Sequence, residues 1–354
     1  MRIGIDVSQI VYGTGVSVYT RRLVEGLKAI DENNEYVLFG GSLRRMEEIR
    51  QFGARAFPIA PTLADWLWNR LHVLPVERLV GNLDVVHTSD WAEPPSRCPK
   101  VTTIHDMSPL LFPNKTPSRI VDVHRRKFEW VKRETSCVIV PSKQTKEDVV
   151  SSGVHQEKVV VIAEAASERF YKRDEKDVAR VRKKYEITRD YLLSVGATRR
   201  KNADGIMAAF KKLGLGDKYE LLFTGIADDD YRADGVRMLG YVDEGDMPAL
   251  YSGAIVFVYP SFYEGFGLPV LEAMACGAAV VTSEKSSMSE VAGGAAVLVS
   301  PASVDSIADG IKKAMKSGEK LVKKGLARVK LFSWKKTARE TLKVYEKVAE
   351  GGLV

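Results

Sequence analysis

The stretch "SFYEGFGLPVLEAM", residues 261–274, places Glu264 in a glycine-flanked turn and a second glutamate, Glu272, eight positions later. The preceding run "AIVFVYPS", residues 254–261, is rich in β-branched and aromatic residues, which predicts a strand. Pro269 suits the first turn of a helix, because its missing N–H would be unpaired there anyway. The whole stretch is therefore predicted as strand, tight loop and helix.

This arrangement predicts a ligand site at the carboxyl end of the strand, where open α/β sheets bind ligands. Gly265 and Gly267 let backbone amides approach a ligand closely, and a helix N-terminus favours an anion. Amides suit phosphate and carboxylates suit sugar hydroxyls. The pattern therefore indicates an anionic ligand that also carries hydroxyl groups.

Composition indicates a globular protein of two domains. The chain has 354 residues, of which 45% are hydrophobic and 28% are charged. The sequence contains no run of 18 apolar residues, so no membrane span is predicted. The first residues show no secretory signal pattern. Three scattered cysteines suggest neither a disulfide framework nor a metal site, so we expect a reduced, cytoplasmic protein.

The formal net charge is +7, and much of it comes from residues 312–336. A solvated helix face is the first interpretation of this basic segment. Attraction to an anionic membrane surface or to an acidic acceptor is the alternative, with a peripheral position at the inner face of the membrane. Motifs of nucleic-acid readers are absent, so no nucleic-acid partner is predicted.

Strand-like and helix-like segments alternate in both halves of the chain, which predicts two parallel sheets covered by helices. Each half contains about six strand candidates. The boundary is predicted between about residues 163 and 190, where the charged segment 167–190 interrupts the alternation. We expect a domain over residues 1–165, a second over 166–334 and a final helix over 335–354.

Three further loops carry candidate ligand-binding residues. "GTGVSVYT", residues 13–20, presents the amides of Gly15 and Val16 but has Val18 where a dinucleotide fingerprint needs glycine. "VGATRRKNADGI", residues 195–206, carries three cations that suit a diphosphate: Arg199, Arg200 and Lys201. A plain strand-to-helix turn and a basic surface turn remain the alternatives for these two loops.

"TIHDMSP", residues 103–109, places His105 and Asp106 at another strand end, where a structural histidine is the alternative to a functional one. The aspartates of "IADDDYRADG", residues 226–235, are predicted to be solvated, and we expect no metal. "DWLWNRLHVLPVERL", residues 65–79, is predicted as an interior helix, with an interfacial amphipathic helix as the alternative.

Together these residues resemble the retaining nucleotide-sugar glycosyltransferases of family 4, and the resemblance covers almost the whole chain. "YPSFYEGFGLPVLEAMACGAAVVTS" holds the family's pattern of two glutamates separated by seven residues. "GTGV", "TIHD", "RRKN" and "LGYVDEGDMPALYSGA" follow in family order. The resemblance implies the GT-B fold: two Rossmann-like doubly wound parallel-sheet domains that face a central cleft, with the last helix returning to the N-terminal domain.

The resemblance also implies roles for individual residues. Glu264 holds the donor sugar's hydroxyls, and Glu272 accepts hydrogen bonds from the ribose. Lys201 binds the diphosphate with Arg199 or Arg200, of which Arg200 is favoured. His105 lies close to the sugar's outer hydroxyls. Backbone groups near the donor come from Gly15, Val16, Tyr241, Val242, Phe266, Gly267 and Leu268.

The expected reaction moves a hexose, mannose before glucose, from a nucleoside-diphosphate sugar to a glycan or lipid-linked acceptor. GDP-mannose is favoured over UDP-glucose, and no cofactor is expected. We expect attack by the acceptor on the leaving-group face, with Glu264 positioning the sugar rather than attacking it. A retaining glycosidase uses a carboxylate nucleophile instead. Two alternative functions are a non-catalytic sugar-nucleotide-binding protein and an NAD-dependent oxidoreductase.

The chain departs from the family pattern in two places. "VIAEAASERF", residues 161–170, lacks the glycine often found after this strand, which leaves the linker geometry open. The loop before Lys201 is short, which leaves the choice between the two arginines open. Neither departure affects the paired glutamates.

Overall fold

The structure is a computed structural model that describes residues 1–227, 229, 231 and 233–352. The acidic run predicted as solvated includes residues 228 and 230, which lie outside the described residues. The chain divides into two compact units. Unit 1 comprises Met1–Glu164 with Trp334–Val354, and unit 2 comprises Ala165–Ser333.

The strands, in chain order, are β1 Arg2–Asp6, β2 Glu35–Gly41, β3 Arg55–Phe57, β4 Val85–Ser89, β5 Lys100–Thr103, β6 Cys137–Val140, β7 Val159–Val161, β8 Asp190–Ala197, β9 Tyr219–Ala227, β10 Val236–Gly240, β11 Val256–Tyr259, β12 Ala279–Ser283 and β13 Val297–Val299.

The helices of unit 1 are α1 Gly15–Ile30, α2 Met46–Gln51, α3 Pro61–Ala64, α4 Glu77–Val80, α5 Ser108–Leu111, α6 Ser118–Glu134 and α7 Lys143–Ser151. Those of unit 2 are α8 Glu175–Lys184, α9 Ala203–Lys212, α10 Met247–Gly253, α11 Leu268–Ala275, α12 Ser287–Ala292, α13 Val304–Lys316 and α14 Gly318–Val329. The last helix, α15 Trp334–Ala349, belongs to unit 1. Short 3-10 turns cover Ser8–Val11, Pro113–Lys115 and Gln156–Lys158, and a π-helical segment covers Asp65–Arg70.

In the described part of the chain, unit 1 has a seven-stranded parallel sheet in the order β3-β2-β1-β4-β5-β6-β7. Unit 2 has a six-stranded parallel sheet in the order β10-β9-β8-β11-β12-β13. The chain therefore leaves β1 in one direction along the sheet and β4 in the other, and β8 and β11 diverge in the same way. Such switch points open a crevice at the carboxyl ends of the two strands.

Buried side chains of the crossover helices pack on each sheet. In unit 2, Ile206 of α9 and Ile311 of α13 share a core with Val281 of β12. Helix α13 approaches β13 so closely that a Cβ at Gly310 would lie 2.3 Å from the Val299 side chain. In unit 1, Phe128 of α6 packs with the strands at one end of the sheet, β6 and β7. These contacts explain the near-continuous burial of the strands.

Helix α15 packs against α1 within unit 1. A Cβ at Gly26 of α1 would lie 3.0 Å from the Cβ of Ala338, so glycine allows this close approach. Deeper in unit 1, the Tyr345 hydroxyl meets Nδ1 of His87 at 2.6 Å, and Nε2 of His87 meets Thr103 Oγ1 at 2.8 Å. Burial lowers the pKa of His87 to about 3, so its ring is neutral.

Residues 65–79 differ from the single interior helix predicted for them. The π-helical segment ends at Arg70, and His72 and Leu74 both have positive φ. Trp68 is buried, whereas Trp66 is 51% exposed. A β-branched and proline-containing run, "HVLPV", follows the break, which explains why the helix does not continue.

None of the three cysteines, Cys98, Cys137 and Cys276, forms a disulfide bond. Among the described residues, no helix combines the length and apolar character that crossing a bilayer requires.

The contact between α15 and the sheet generates a stability prediction. Tyr345→Phe removes a buried hydroxyl and leaves a nitrogen of His87 without its partner. We expect the melting temperature to fall by about 2–4 °C. Tyr12→Phe is the matched control, because the Tyr12 hydroxyl makes no hydrogen bond with the described residues. Equal melting temperatures for the two variants would contradict this account.

Candidate functional site

The loops after β8 and β11, which are neighbouring strands, carry most of the predicted donor-binding residues. Backbone and side-chain hydrogen bonds tie the two loops together. The amide of Phe262 donates to the carbonyl of Arg200 at 3.0 Å. Asn202, in a left-handed conformation with φ 65°, donates to the carbonyls of Pro260 and Pro301 at 3.1 and 2.7 Å. The loop ends of three strands are thus held in one arrangement.

Glu264 lies at the centre of this arrangement. Its Oε1 accepts hydrogen bonds from the Tyr259 hydroxyl at 2.8 Å and from the Ser261 hydroxyl at 3.0 Å. Its Oε2 is paired with the Arg200 guanidinium at 3.0 Å. Its side chain is 15% exposed, so the carboxylate is oriented and largely neutralised but still reaches solvent.

Lys201 lies beside this carboxylate without a committed partner. Its ammonium makes no hydrogen bond or ion pair with the described residues and lies 5.5 Å from the centre of the Tyr259 ring. Partial removal from water lowers the pKa of Lys201, and the charge of Glu264 opposes that effect. Gly196, with φ 75°, makes room for the lysine, because a Cβ there would lie 2.7 Å from its Cδ and Nζ.

The two predicted arginines have different surroundings. Arg200 is paired with Glu264 and also donates to the carbonyl of Tyr263 at 2.8 Å. Arg199 is 76% exposed at its side chain and lies 3.9 Å from Asp229. The geometry therefore favours Arg200 as the arginine associated with Glu264 and Lys201.

Glu272 lies one turn into α11, where its Oε2 accepts a hydrogen bond from the Tyr251 hydroxyl at 3.2 Å. Burial raises the pKa of Glu272 to about 7, although Tyr251 and the charges of Arg169 and Lys201 oppose the shift. This carboxyl is therefore close to half protonated at neutral pH. A ligand that donates hydrogen bonds to it would favour the ionised form.

The N-terminus of α11 is built for close approach. Gly267 precedes the helix with φ 106°, and a Cβ there would lie 3.1 Å from the Met288 side chain. Phe266 is buried and meets Phe332 edge-on at 6.0 Å. Leu268 is the first helical residue, and the predicted position of Pro269 in the first turn is confirmed. Glycine is needed here because no other residue adopts this conformation readily.

Tyr241 and Val242, predicted to flank the base through their backbone, follow β10. The Tyr241 side chain is 80% exposed, whereas Val242 is buried. Their position after a strand of the same sheet places them at the carboxyl edge, although β10 is two strands from β8.

Unit 1 holds the remaining predicted residues. Gly15 and Val16 are the first two residues of α1, where amides have no partner within the helix. His105 follows β5; its Nε2 meets the Ser89 hydroxyl at 3.1 Å and its Nδ1 meets Glu164 at 3.2 Å. The Tyr19 ring contacts the imidazole edge-on at 4.5 Å. These contacts fix the orientation of the imidazole.

Several residues that support the site were not predicted from sequence. Tyr259 and Ser261 both lie in residues 254–261, a few positions before Glu264. Their hydroxyls could therefore have been predicted as partners of its carboxylate. Tyr251 and Glu164 come from distant segments and gave no such signal. In the part of the chain that the structure describes, no three side chains of His, Cys, Asp or Glu are grouped to hold a metal ion.

Comparison with known proteins matches two family models to this chain. Residues 13–165 match the model described as Glycosyltransferase Family 4, and residues 177–325 match Glycosyl transferases group 1. O-antigen chain mannosyltransferase B of Escherichia coli is 32% identical over 70% of this chain and 70% of that protein. An uncharacterised glycosyltransferase of Methanocaldococcus jannaschii, MJ1607, is 27% identical over 94% of both chains.

A third relative, the serotype-specific mannosyltransferase WbdA of Escherichia coli, is 25% identical over 71% of this chain. The match covers 34% of the length of WbdA. Sucrose-phosphate synthase of Thermosynechococcus elongatus has a similar structure, with a TM-score of 0.75 and 19% identity over 99% of this chain and 100% of that chain. A structure of WaaG, a glycosyltransferase of lipopolysaccharide biosynthesis, gives a TM-score of 0.73 at 13% identity over 97% and 99% of the chains.

The structural similarities confirm the predicted GT-B fold, and the relatives extend the similarity to sequence. The chain belongs to glycosyltransferase family 4, the glycosyl transferases of group 1, and is a glycosyltransferase.

Proposed function

We propose that this glycosyltransferase moves a hexose from a nucleoside-diphosphate sugar to a glycan or lipid-linked acceptor, with retention of configuration. The observation that carries the proposal is the Glu264 carboxylate, held by three donors beside the uncommitted ammonium of Lys201. A carboxylate for hydroxyls and a cation for phosphate are what a sugar diphosphate requires.

Mannose is the favoured sugar and GDP-mannose the favoured donor, before UDP-glucose. The named function of several relatives supports this choice, including O-antigen chain mannosyltransferases B and RfbU. A structure of HepE from Anabaena with UDP-glucose, similar to this chain with a TM-score of 0.73 but 14% identical, supports a nucleotide-sugar donor in general.

The leaving group would be stabilised by charge. When the bond between the sugar C1 and the diphosphate oxygen breaks, the electron pair goes to the diphosphate. Lys201 and Arg200 would receive that developing charge together with the amides at the start of α11. Removing one such donor typically costs about 3 kcal/mol of barrier, roughly a hundredfold in rate. No metal is needed in this scheme.

Glu264 would position the sugar rather than attack it. Its two oxygens already accept from Tyr259 and Ser261 and pair with Arg200, which lowers the nucleophilicity of the carboxylate. The acceptor hydroxyl would attack C1 on the face that the diphosphate leaves, and its proton would pass to a diphosphate oxygen. The new bond then replaces the old one on the same face, so the configuration is retained.

Glu272 would accept hydrogen bonds from the ribose, and His105 would meet the outer hydroxyls of the sugar. A lipid-linked acceptor would bring the protein to a membrane surface. The exposed side chains of Trp66 and Leu71, next to Arg70, support a peripheral contact there.

A panel of nucleotide sugars tests the function and the donor. We expect GDP-mannose to raise the melting temperature most, UDP-glucose less and NADH not at all, because a ligand that binds the native state stabilises it. Glu264→Ala should abolish transfer from the same donor. If no nucleotide sugar stabilises the protein or supports transfer, the proposed function is wrong; a larger effect of UDP-glucose would overturn only the choice of donor.

The same reaction tests the stereochemical course. NMR of the first product formed should show the anomeric configuration of the donor. Mass spectrometry of the protein during turnover should detect no sugar attached to Glu264. An attached sugar would replace front-face attack by a double displacement.

Gly196 generates a prediction about Lys201. Gly196→Ala forces a methyl group into the space of the lysine side chain, whereas Gly214→Ala, at φ 61° with nothing within 4 Å, meets no neighbour. Both variants bear the backbone penalty of a left-handed alanine, roughly 1–2 kcal/mol. We expect only Gly196→Ala to lose turnover, on the order of a hundredfold. Equal turnover of the two variants, measured at a temperature where both are folded, would contradict the role of Lys201.

The pKa of Glu272 generates a prediction about pH. Because the pKa of this carboxyl is raised to about 7, it becomes protonated, and a poorer acceptor, as pH falls through that value. We expect the affinity for the donor to decrease by up to about tenfold from about pH 8 to about pH 6. Calorimetry should show this slope in the wild type and a flat profile in Glu272→Gln. A sloped profile in the glutamine variant would assign the titration to another group.

A further inference from the structure

A cavity of about 200 Å³ in unit 1 opens beside His105 and extends along α6. Its apolar wall comes from Leu110, Phe128 and Val131. Its polar groups come from the loops after β4 and β5 and from α6: Asp90, His105, Asp106, His124 and Lys127. The cavity therefore lies at the carboxyl edge of the sheet, next to the switch point between β1 and β4.

Lys127 is the unusual member of this set. Lys127 is only 5% exposed, yet its ammonium makes no hydrogen bond or ion pair with the described residues. Burial lowers the pKa of Lys127, whereas the charges of Glu93, Asp90 and Asp6 favour the charged form. Because Lys127 lines the cavity, a ligand there could supply the acceptor that the described residues do not.

Two neighbours are also uncommitted. Asp90 follows β4 with φ 59°, a conformation that few non-glycine residues adopt, and its carboxylate has no hydrogen-bond partner among the described residues. His124 meets Trp91 edge-on at 6.1 Å, and neither ring nitrogen is hydrogen-bonded within the described chain. Burial lowers the pKa of His124, so near neutral pH its ring supplies one donor and one acceptor.

The charges decide which chemistry fits. Two carboxylates, Asp90 and Asp106, line the cavity with one ammonium, Lys127. An anionic group would meet more negative than positive charge, and a second cation would be repelled by Lys127. An uncharged ring with several hydroxyls satisfies both kinds of group, since each hydroxyl donates one hydrogen bond and accepts others. Its C–H faces would lie against the apolar wall.

We propose that this cavity binds an uncharged sugar residue of the acceptor, with Lys127 donating to its hydroxyls and Asp90 accepting from them. The inference rests on the proposed function, since it names the acceptor of that reaction. His105 lines the same cavity, so the occupant would lie next to the residue assigned to the donor's sugar. Lys127 and Asp90 would thus determine which acceptor is used.

Binding of simple probes tests the proposal. Saturation-transfer NMR would measure the binding of methyl α-D-mannopyranoside, methyl α-D-glucopyranoside and mannose 6-phosphate to the full chain. We expect at least one of the uncharged glycosides to bind better than the phosphate, because the carboxylates repel it. Lys127→Met should weaken that binding by about tenfold or more, as expected for a lost charged hydrogen bond.

Lys132→Met is the matched control, because Lys132 lies on the same helix, is paired with Glu129 at 2.7 Å and does not line the cavity. It should bind the glycoside as the wild type does. Asp90→Asn should also weaken binding, and asparagine tolerates the left-handed backbone at this position. This variant provides the test if Lys127→Met does not fold. Donor binding should stay within about twofold of the wild type in all three variants, since one hydrogen bond changes affinity by more than that.

The outcomes separate the two proposals. A wild type that binds no donor overturns the proposed function. A wild type that binds donor but no uncharged glycoside, or that binds the phosphate better, overturns the inference about the cavity. Unchanged glycoside binding in Lys127→Met and Asp90→Asn overturns it as well.

Discussion

The constraint on which this structure depends is the geometry of parallel strands. Hydrogen-bonded parallel neighbours end at the same edge, and strands whose crossovers diverge leave a crevice between their loops. In unit 2 the diverging pair is β8 and β11, and the loops after these strands hold Lys201 and Glu264. In unit 1 the pair is β1 and β4, and the loop after β4 holds Asp90. Chemistry accumulates where the sheet leaves space for it.

Within these crevices, charged groups fall into two kinds. Glu264 is satisfied by Arg200, Tyr259 and Ser261, so its position is fixed before any ligand arrives. Lys201 and Lys127 are partly or almost fully removed from water and have no partner of their own in the described chain. Satisfied groups orient a ligand at little reorganisation cost, whereas unsatisfied groups gain most from binding it. The site combines both kinds.

Much of this could be predicted from sequence, because the signals were local. The strand, loop and helix around Glu264 follow from β-branched residues, glycines and Pro269, and the sheets have seven and six strands where about six were predicted for each half. The three-residue edge strand β3 has no such signal, and neither has the break near His72, where tertiary packing decides. Long-range partners such as Tyr251 and Glu164 cannot be located before strand order is known. Both alternative functions, an oxidoreductase and a non-catalytic binding protein, are wrong, because the chain is a glycosyltransferase.

The return of α15 to unit 1 has a consequence for biosynthesis. A ribosome releases the segments of unit 2 in one continuous stretch, so that unit can fold as soon as it has emerged. The other unit waits, because its seven strands lack the helix that packs on α1 at Gly26 until residues 334–349 have been made. The segments of unit 1 that precede unit 2 are therefore completed after it, and the α1 surface that α15 covers stays open until then.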